Sequence, residues 1–154
     1  MDTNMNGTID TKNAAVAALA KWLGEDASAF EEARHDCYGL TVFEIGRDSY
    51  AIGTDEEADA ACESYIEDSI WAFNAEFICG CCGLPHELAE AIAAWQREAC
   101  EDANAGLLKL VNNCCGLDHF TQEAVSADGR GHFLASYDGD EIDLGGGLFA
   151  YRIG

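Results

Sequence analysis

Two short runs in this chain hold residues that could bind a metal or exchange thiols. Cys81-Cys82-Gly83-Leu84-Pro85-His86 is echoed by Cys114-Cys115-Gly116-Leu117-Asp118-His119. Thiolate and imidazole together are zinc ligands, and thiols alone can respond to redox change. Zinc sites, however, favour Cys-x-x-Cys pairs at ribbon or finger distances, and adjacent doublets do not fit that spacing. A structural account covers more of the repeat. A glycine just past a helix takes the left-handed conformation, and the leucine after it closes the cap. Pro85 and Asp118 then start the next helix, as first-turn and N-cap residues. This account explains the glycine, the leucine and the starter residue together, so no metal and no cofactor are expected. The thiols should be mostly reduced and behave as small buried hydrophobes.

Two other stretches carry reactive groups. Asp128-Gly129-Arg130-Gly131-His132 sets a carboxylate, a cation and a base in one loop. His132 could serve as a general base, but no partner completes a catalytic site, and Arg130 has a simpler use in neutralising local acid. Asp138, Asp140, Glu141 and Asp143 faintly resemble a calcium loop. Ile142 stands where a calcium loop needs a further oxygen ligand, and the required glycine after it is missing. No Gly-x-Ser-x-Gly, P-loop or cysteine-nucleophile motif occurs. The chain is expected not to be an enzyme.

The elements that must position these residues can be read from periodicity and punctuation. Residues 1–10 are polar and expected to be mobile. A first helix runs from Lys12 to Leu23, with Val16, Leu19, Ala20 and Leu23 on one stripe and Gly24 at its end. Asp26 to Asp36 reads as a short second helix with Phe30 and Ala33 inward. Leu40 to Ile45 and Ser49 to Ile52 form a hairpin, ended by Gly53. Thr54-Asp55-Glu56-Glu57 is a capping box. The helix after it places Ala58, Ala61, Cys62, Tyr65, Ile66, Ser69, Ile70 and Phe73 on its inner face, and turns Asp59, Glu63 and Glu67 outward. A further helix from Pro85 has Leu88, Ile92 and Trp95 as its inner stripe, continued after Asn104 and Gly106 by Leu107 to Val111. Glu141–Leu144 and Leu148–Ile153 are strands joined by three glycines. The expected fold is α+β, one domain over 1–154, with a core of four to six helices packed on a small antiparallel sheet formed by two short hairpins.

Composition bounds the partners. The chain has 154 residues, 29 acidic against 8 basic, and a formal net charge of -21. Nucleic acid and anionic membrane are repelled by such a charge, and a basic surface is attracted. No stretch reads as a signal peptide or a bilayer span, which points to the cytoplasm. Between Arg47 and Arg97 there is no Lys or Arg at all. On a helix, carboxylates four residues apart are about 6 Å apart along the axis. A nucleic-acid strand presents one charge per about 3.4 Å. A row of this kind can occupy a basic groove, or it can be a solvated helix face.

Thr54-Asp55-Glu56-Glu57-Ala58-Asp59, Ser69-Ile70-Trp71-Ala72-Phe73-Asn74 and the run from Asp128 to Gly139 resemble blocks in small acidic accessory proteins of bacteriophages and other mobile elements. The resemblance covers about the last two-thirds of the chain and brings no catalytic residues. It implies a setting of action against host defence, of the anti-CRISPR or anti-restriction type. The expectation is therefore an inhibitor in the cytoplasm of a bacterial host. It would bind a basic host protein or ribonucleoprotein surface, as monomer or homodimer, without binding nucleic acid itself. Its contact residues would be Glu56, Asp59, Glu63, Glu67, Asp68, Asp138, Asp140, Glu141 and Asp143. The alternatives are a zinc- or redox-responsive protein using Cys81, Cys82, Cys114 and Cys115, and a salt-adapted structural protein.

Overall fold

Apolar and β-branched residues alternate along residues 41–54 and again along 141–152, and both stretches fold into antiparallel hairpins. The computed structural model describes the backbone of residues 3–154 and side chains from residue 11 onward. Of the segment 1–10 expected to be mobile, residues 1 and 2 lie outside the described residues, and the backbone of residues 3–10 is helical. The chain is α+β, with helices packed on a five-stranded antiparallel sheet of order β1-β2-β3-β5-β4. The strands are β1 (Glu31–Glu32), β2 (Thr41–Ile45), β3 (Asp48–Thr54), β4 (Glu141–Gly145) and β5 (Leu148–Arg152). The two expected hairpins are present as β2–β3 and β4–β5. They do not stand apart. β3 and β5 pair from Tyr50↔Arg152 to Thr54↔Leu148, and β1 adds a fifth strand. Contacts divide the chain into two compact units, Met1–Cys62 with Gly129–Gly154, and Glu63–Asp128.

In the first unit, α1 (Thr3–Leu23) starts well before Lys12. It packs Ala15 and Leu19 against Phe43, Tyr50, Ile52 and Ala150. Gly24, at φ +70°, ends it, and the Glu25 N–H donates to the Ala20 carbonyl. The helix expected over 26–36 does not form. The Asp26 carboxylate accepts from the backbone N–H and the hydroxyl of Ser28, which ties the chain into a 3-10 turn at Ala27–Ala29. Such local bonding competes with helix. Glu31 and Glu32 then pair with Glu44 and Phe43 as β1. The sheet buries its other face too: Val42, Ala51 and Tyr151 are each at most 1 % exposed. Arg130, in α7 (Arg130–Leu134), lies over the Phe149 ring on that face and bonds Asp55 at the start of α2 (Asp55–Ser69).

The capping box holds as read. The Glu57 N–H donates to Thr54 Oγ1 at 3.2 Å, and the Thr54 N–H donates to Glu57 Oε1 at 3.0 Å. Gly53 lies inside β3 instead of ending it, and a Cβ there would collide with the Leu40 side chain.

The second unit is helical: α3 (Ala75–Cys82), α4 (Leu88–Ala99), α5 (Asn104–Cys114) and α6 (Leu117–Asp128). Phe73, Phe77 and Phe120 pack together, edge-on or tilted, with ring centroids 5.3 to 6.3 Å apart. α4 and α5 are separate, linked by a 3-10 turn at Cys100–Ala103, and Cys100 adopts φ +51°. The inner stripe of α4 differs from the sequence reading. Ala89 and Ile92 are buried, whereas Leu88 and Trp95 are 43 % and 40 % exposed. The helix is turned so that Gln96 points inward, where its Nε2 donates to the carbonyls of Trp71 and Phe73. Asn104 does similar work: its Nδ2 donates to the Glu67 carbonyl, and its Oδ1 accepts from the Trp71 N–H.

Candidate functional site

Three groupings of polar or reactive side chains emerge, and the sequence pointed to parts of each. The first is a network around Arg130, whose side chain is only 9 % exposed. Its Nη1 donates to Asp55 Oδ1 at 2.6 Å, to Asp59 Oδ1 at 3.1 Å and to the Asp55 carbonyl at 3.0 Å. Its Nε donates to Glu141 Oε2 at 2.7 Å, and the Tyr151 hydroxyl donates to the same oxygen at 2.5 Å. The guanidinium also lies 4.6 Å from the centre of the Phe149 ring. Burial works to lower the Arg130 pKa, but its hydrogen bonds to Glu141 and Asp55 outweigh that, and the cation is held above its ordinary range. Burial, then the bond to Glu141, keeps the Tyr151 phenol protonated well above its usual range.

The surrounding loop is built for this placement. Gly129, at φ +82°, turns the chain ahead of Arg130. Gly131 lies so close to the next loop that a Cβ would stand 2.5 Å from the Gly139 carbonyl oxygen and 2.8 Å from the Glu141 nitrogen. Asp138 Oδ1 accepts from the Asp140 N–H, and Asp143 Oδ1 from the Gly145 N–H. Tyr137 lies against Arg152, 3.8 Å from the guanidinium carbon to the ring centre, and Arg152 Nη2 donates to Asp48 at 2.9 Å. His132 is exposed and has no acid–base partner among the described residues. The reading of Arg130 as a neutraliser of local acid therefore holds.

The second grouping is the acidic face of α2. Of its expected contact residues, Asp59 is drawn to Arg130. Glu56, Glu63, Glu67 and Asp68 form no ion pair among the described residues, and Glu56, Glu67 and Asp68 are exposed while Glu63 is half-buried. Of the second acidic set, Glu141 belongs to the arginine network, Asp138 and Asp143 brace turns, and Asp140 stands free in solvent.

The third grouping is the cysteine doublets, which the fold brings together. Gly83, at φ +67°, ends α3 with a full cap. The Leu84 N–H donates to the Cys79 carbonyl at 2.9 Å, and the Gly83 N–H to Gly80 at 3.4 Å. Gly116, at φ +88°, follows α5, and its N–H donates to the Val111 carbonyl at 2.8 Å. Both glycines are left-handed, as the cap reading requires. The starter residues behave differently. α4 begins at Leu88 after a turn through Pro85, and α6 begins at Leu117, directly after Gly116. α3 and α5 pack together, and Cys82 has Cys115 and Cys114 as neighbours. Burial, then the nearby Cys115 and Cys114, push the Cys82 thiol up to about 12. Cys81 shares an open groove of about 530 Å³ with His119, Glu123 and Glu76. Burial raises its thiol as well, so it is a poor nucleophile at neutral pH. Among the described residues, no three His, Cys, Asp or Glu side chains are grouped so that they could hold a metal ion.

Sequence reasoning missed the Arg130–Glu141–Tyr151 cluster as a unit. Its only local signal was the pair of glycines flanking Arg130, which mark a tight turn but not its distant partners. Among the described residues, no helix is long and apolar enough to cross a membrane. No protein-family model, no curated protein and no solved structure matches this chain.

Proposed function

We propose that this chain is a non-catalytic inhibitor carried by a phage or another mobile element. It binds a basic surface of a host nucleic-acid-handling defence complex, a CRISPR effector or a restriction enzyme, in the bacterial cytoplasm. The observation that carries the reading is the uncompensated charge along α2. The chain holds a formal net charge of -21, and Glu56, Glu63, Glu67 and Asp68 meet no cation among the described residues. Glu63 and Glu67 are about 6 Å apart along the axis of their helix. Carboxylates held this way keep their full field for a basic partner, since no internal salt bridge must be broken on binding. Asp59 falls outside the binding row, because its carboxylate already serves Arg130.

The test is inhibition of DNA cleavage by a panel of purified CRISPR effectors and restriction endonucleases, at low and at physiological salt. The parent protein should inhibit at least one of them. Changing Glu56, Glu63 and Glu67 together to Lys should lower the association rate at least about tenfold at low salt and flatten its salt dependence. The melting temperature should hold, because these side chains have no partner to lose. Inhibition by the triple variant equal to the parent at both salt levels would refute the reading, as would a parent that inhibits none of the panel.

A further inference from the structure

We infer that the two cysteine doublets form an oxidation site in which Cys82 closes a disulfide onto the Cys114-Cys115 pair and clamps the end of α3 to the end of α5. Three observations converge on it. The glycine caps at Gly83 and Gly116 end the two helices at matching points of the repeat, and α3 and α5 pack together. Cys82 has thiol neighbours on the facing helix end, Cys115 and Cys114, and all eight cysteines are free thiols. Cys114 is exposed, while Cys82 and Cys115 are half-buried, so a reagent in solvent meets Cys114 first. Neighbours within each doublet cannot readily bond to each other, so closure runs between the helices.

The oxidant is a small disulfide of the glutathione class. The Cys114 thiolate attacks one sulfur of oxidised glutathione, forming a mixed disulfide, and the first glutathione leaves and takes up the proton that Cys114 released. The Cys82 thiolate then attacks the Cys114 sulfur. The protein disulfide forms, and the second glutathione leaves with the proton from Cys82. Two protein thiols are oxidised to one disulfide, and one glutathione disulfide is reduced to two thiols. Further exchange can pass the bond from Cys114 to Cys115. The closed loop spans α4 and α5, so it restricts the unfolded chain and should raise the melting temperature by about 5 °C or more. The inference does not depend on the inhibitor reading.

The experiment oxidises the whole protein with excess oxidised glutathione, titrates its thiols and maps the cross-link after trypsin. Trypsin separates residues 48–97, which hold Cys82, from 110–130, whose only cysteines are Cys114 and Cys115. The expected result is loss of two thiols of the eight, a cross-link between those two peptides that fragments to Cys82, and the higher melting temperature, all reversed by dithiothreitol. Cys82→Ser should keep its reduced-state melting temperature and stop at a glutathione adduct on Cys114. A cross-link mapped to Cys37 or Cys100, adducts on the parent without closure, or an unchanged melting temperature on closure would overturn the inference.

Discussion

Replacing Arg130 by methionine keeps the length of the side chain and removes its charge and its donors. The guanidinium bonds three carboxylates that differ in how far they depend on it. Asp55 and Asp59 are 71 % and 65 % exposed, so water replaces most of what they lose, and each bond contributes about 0.5 kcal/mol. Glu141 is 30 % exposed and would keep only the Tyr151 hydroxyl, so that bond contributes about 1.5 kcal/mol. Loss of the stack on Phe149 adds about 0.5 kcal/mol. The expected loss is about 3 kcal/mol, or a fall of about 6 to 12 °C in melting temperature.

Urea unfolding at neutral pH, followed by circular dichroism, measures this directly. Arg130→Lys is the informative companion. An ammonium gathers its three donors at one point and cannot reach Glu141 on one side and Asp55 with Asp59 on the other, so it should recover less than half of the loss. Added salt should partly rescue Arg130→Met, because it screens the carboxylates left facing one another. A loss under about 1 kcal/mol, or full recovery with lysine, would refute the view that the planar fork organises this loop.

Two further predictions follow from the backbone and the buried thiols. Gly83→Ala should cost about 1 kcal/mol, purely from its left-handed backbone, since nothing lies within 4 Å of the new Cβ. Gly131→Ala should cost about 3 kcal/mol or more, because its Cβ meets backbone that cannot move aside; equal costs at the two positions in urea unfolding would contradict both accounts. Stability should also fall in alkali. Burial raises Cys62 from 9.0 to about 12, and Tyr151 is raised from 10.0, first by burial and then by its bond to Glu141. The unfolded chain releases these protons near the ordinary values while the folded chain keeps them. Their contribution is therefore whole below about pH 9 and is lost as pH rises towards the folded values, at about 1.4 kcal/mol per pH unit for Cys62. Urea midpoints across this range should show that slope, and Cys62→Ala should flatten it; an unchanged slope would refute the assignment.

What the sequence made legible was local. The capping box at Thr54, the left-handed glycines at 24, 83 and 116, and both hairpins depend on residues a few positions apart, and each formed as read. What it hid was non-local or competitive. The segment 26–36 has helix-forming residues, but an edge of β2 was open to it, and two strand pairings with the Ser28 turn outweighed propensity. The rotation of α4 turned on Gln96, a polar residue that periodicity assigns to solvent, whose side chain bonds the backbone carbonyls of Trp71 and Phe73. In the candidate site, the same contrast separates Asp59 from Glu63. They are equivalent by spacing, yet only one lies within reach of a cation 71 residues away in sequence.

That contrast also bears on how the run from Asp128 to Gly139 should be understood. It is the most chemically suggestive stretch in the chain, with an acid, a cation and a base in succession. Yet Arg130 is committed to three carboxylates, Gly131 to a backbone contact, Ser136 to the Ile153 carbonyl and Asp138 to a turn, while Phe133, Leu134 and Ala135 are buried. Tyr137 covers Arg152. A segment whose side chains are so largely engaged within the fold has little left for a partner, and substitutions in it should be felt as stability. The acidic face of α2 is the reverse case: Glu56, Glu63 and Glu67 contribute no ion pair to the fold among the described residues, and at (i, i+4) Glu63 and Glu67 repel each other by a few tenths of a kcal/mol. Charges kept at a small cost to the helix are the residues most free to be shaped by a binding partner.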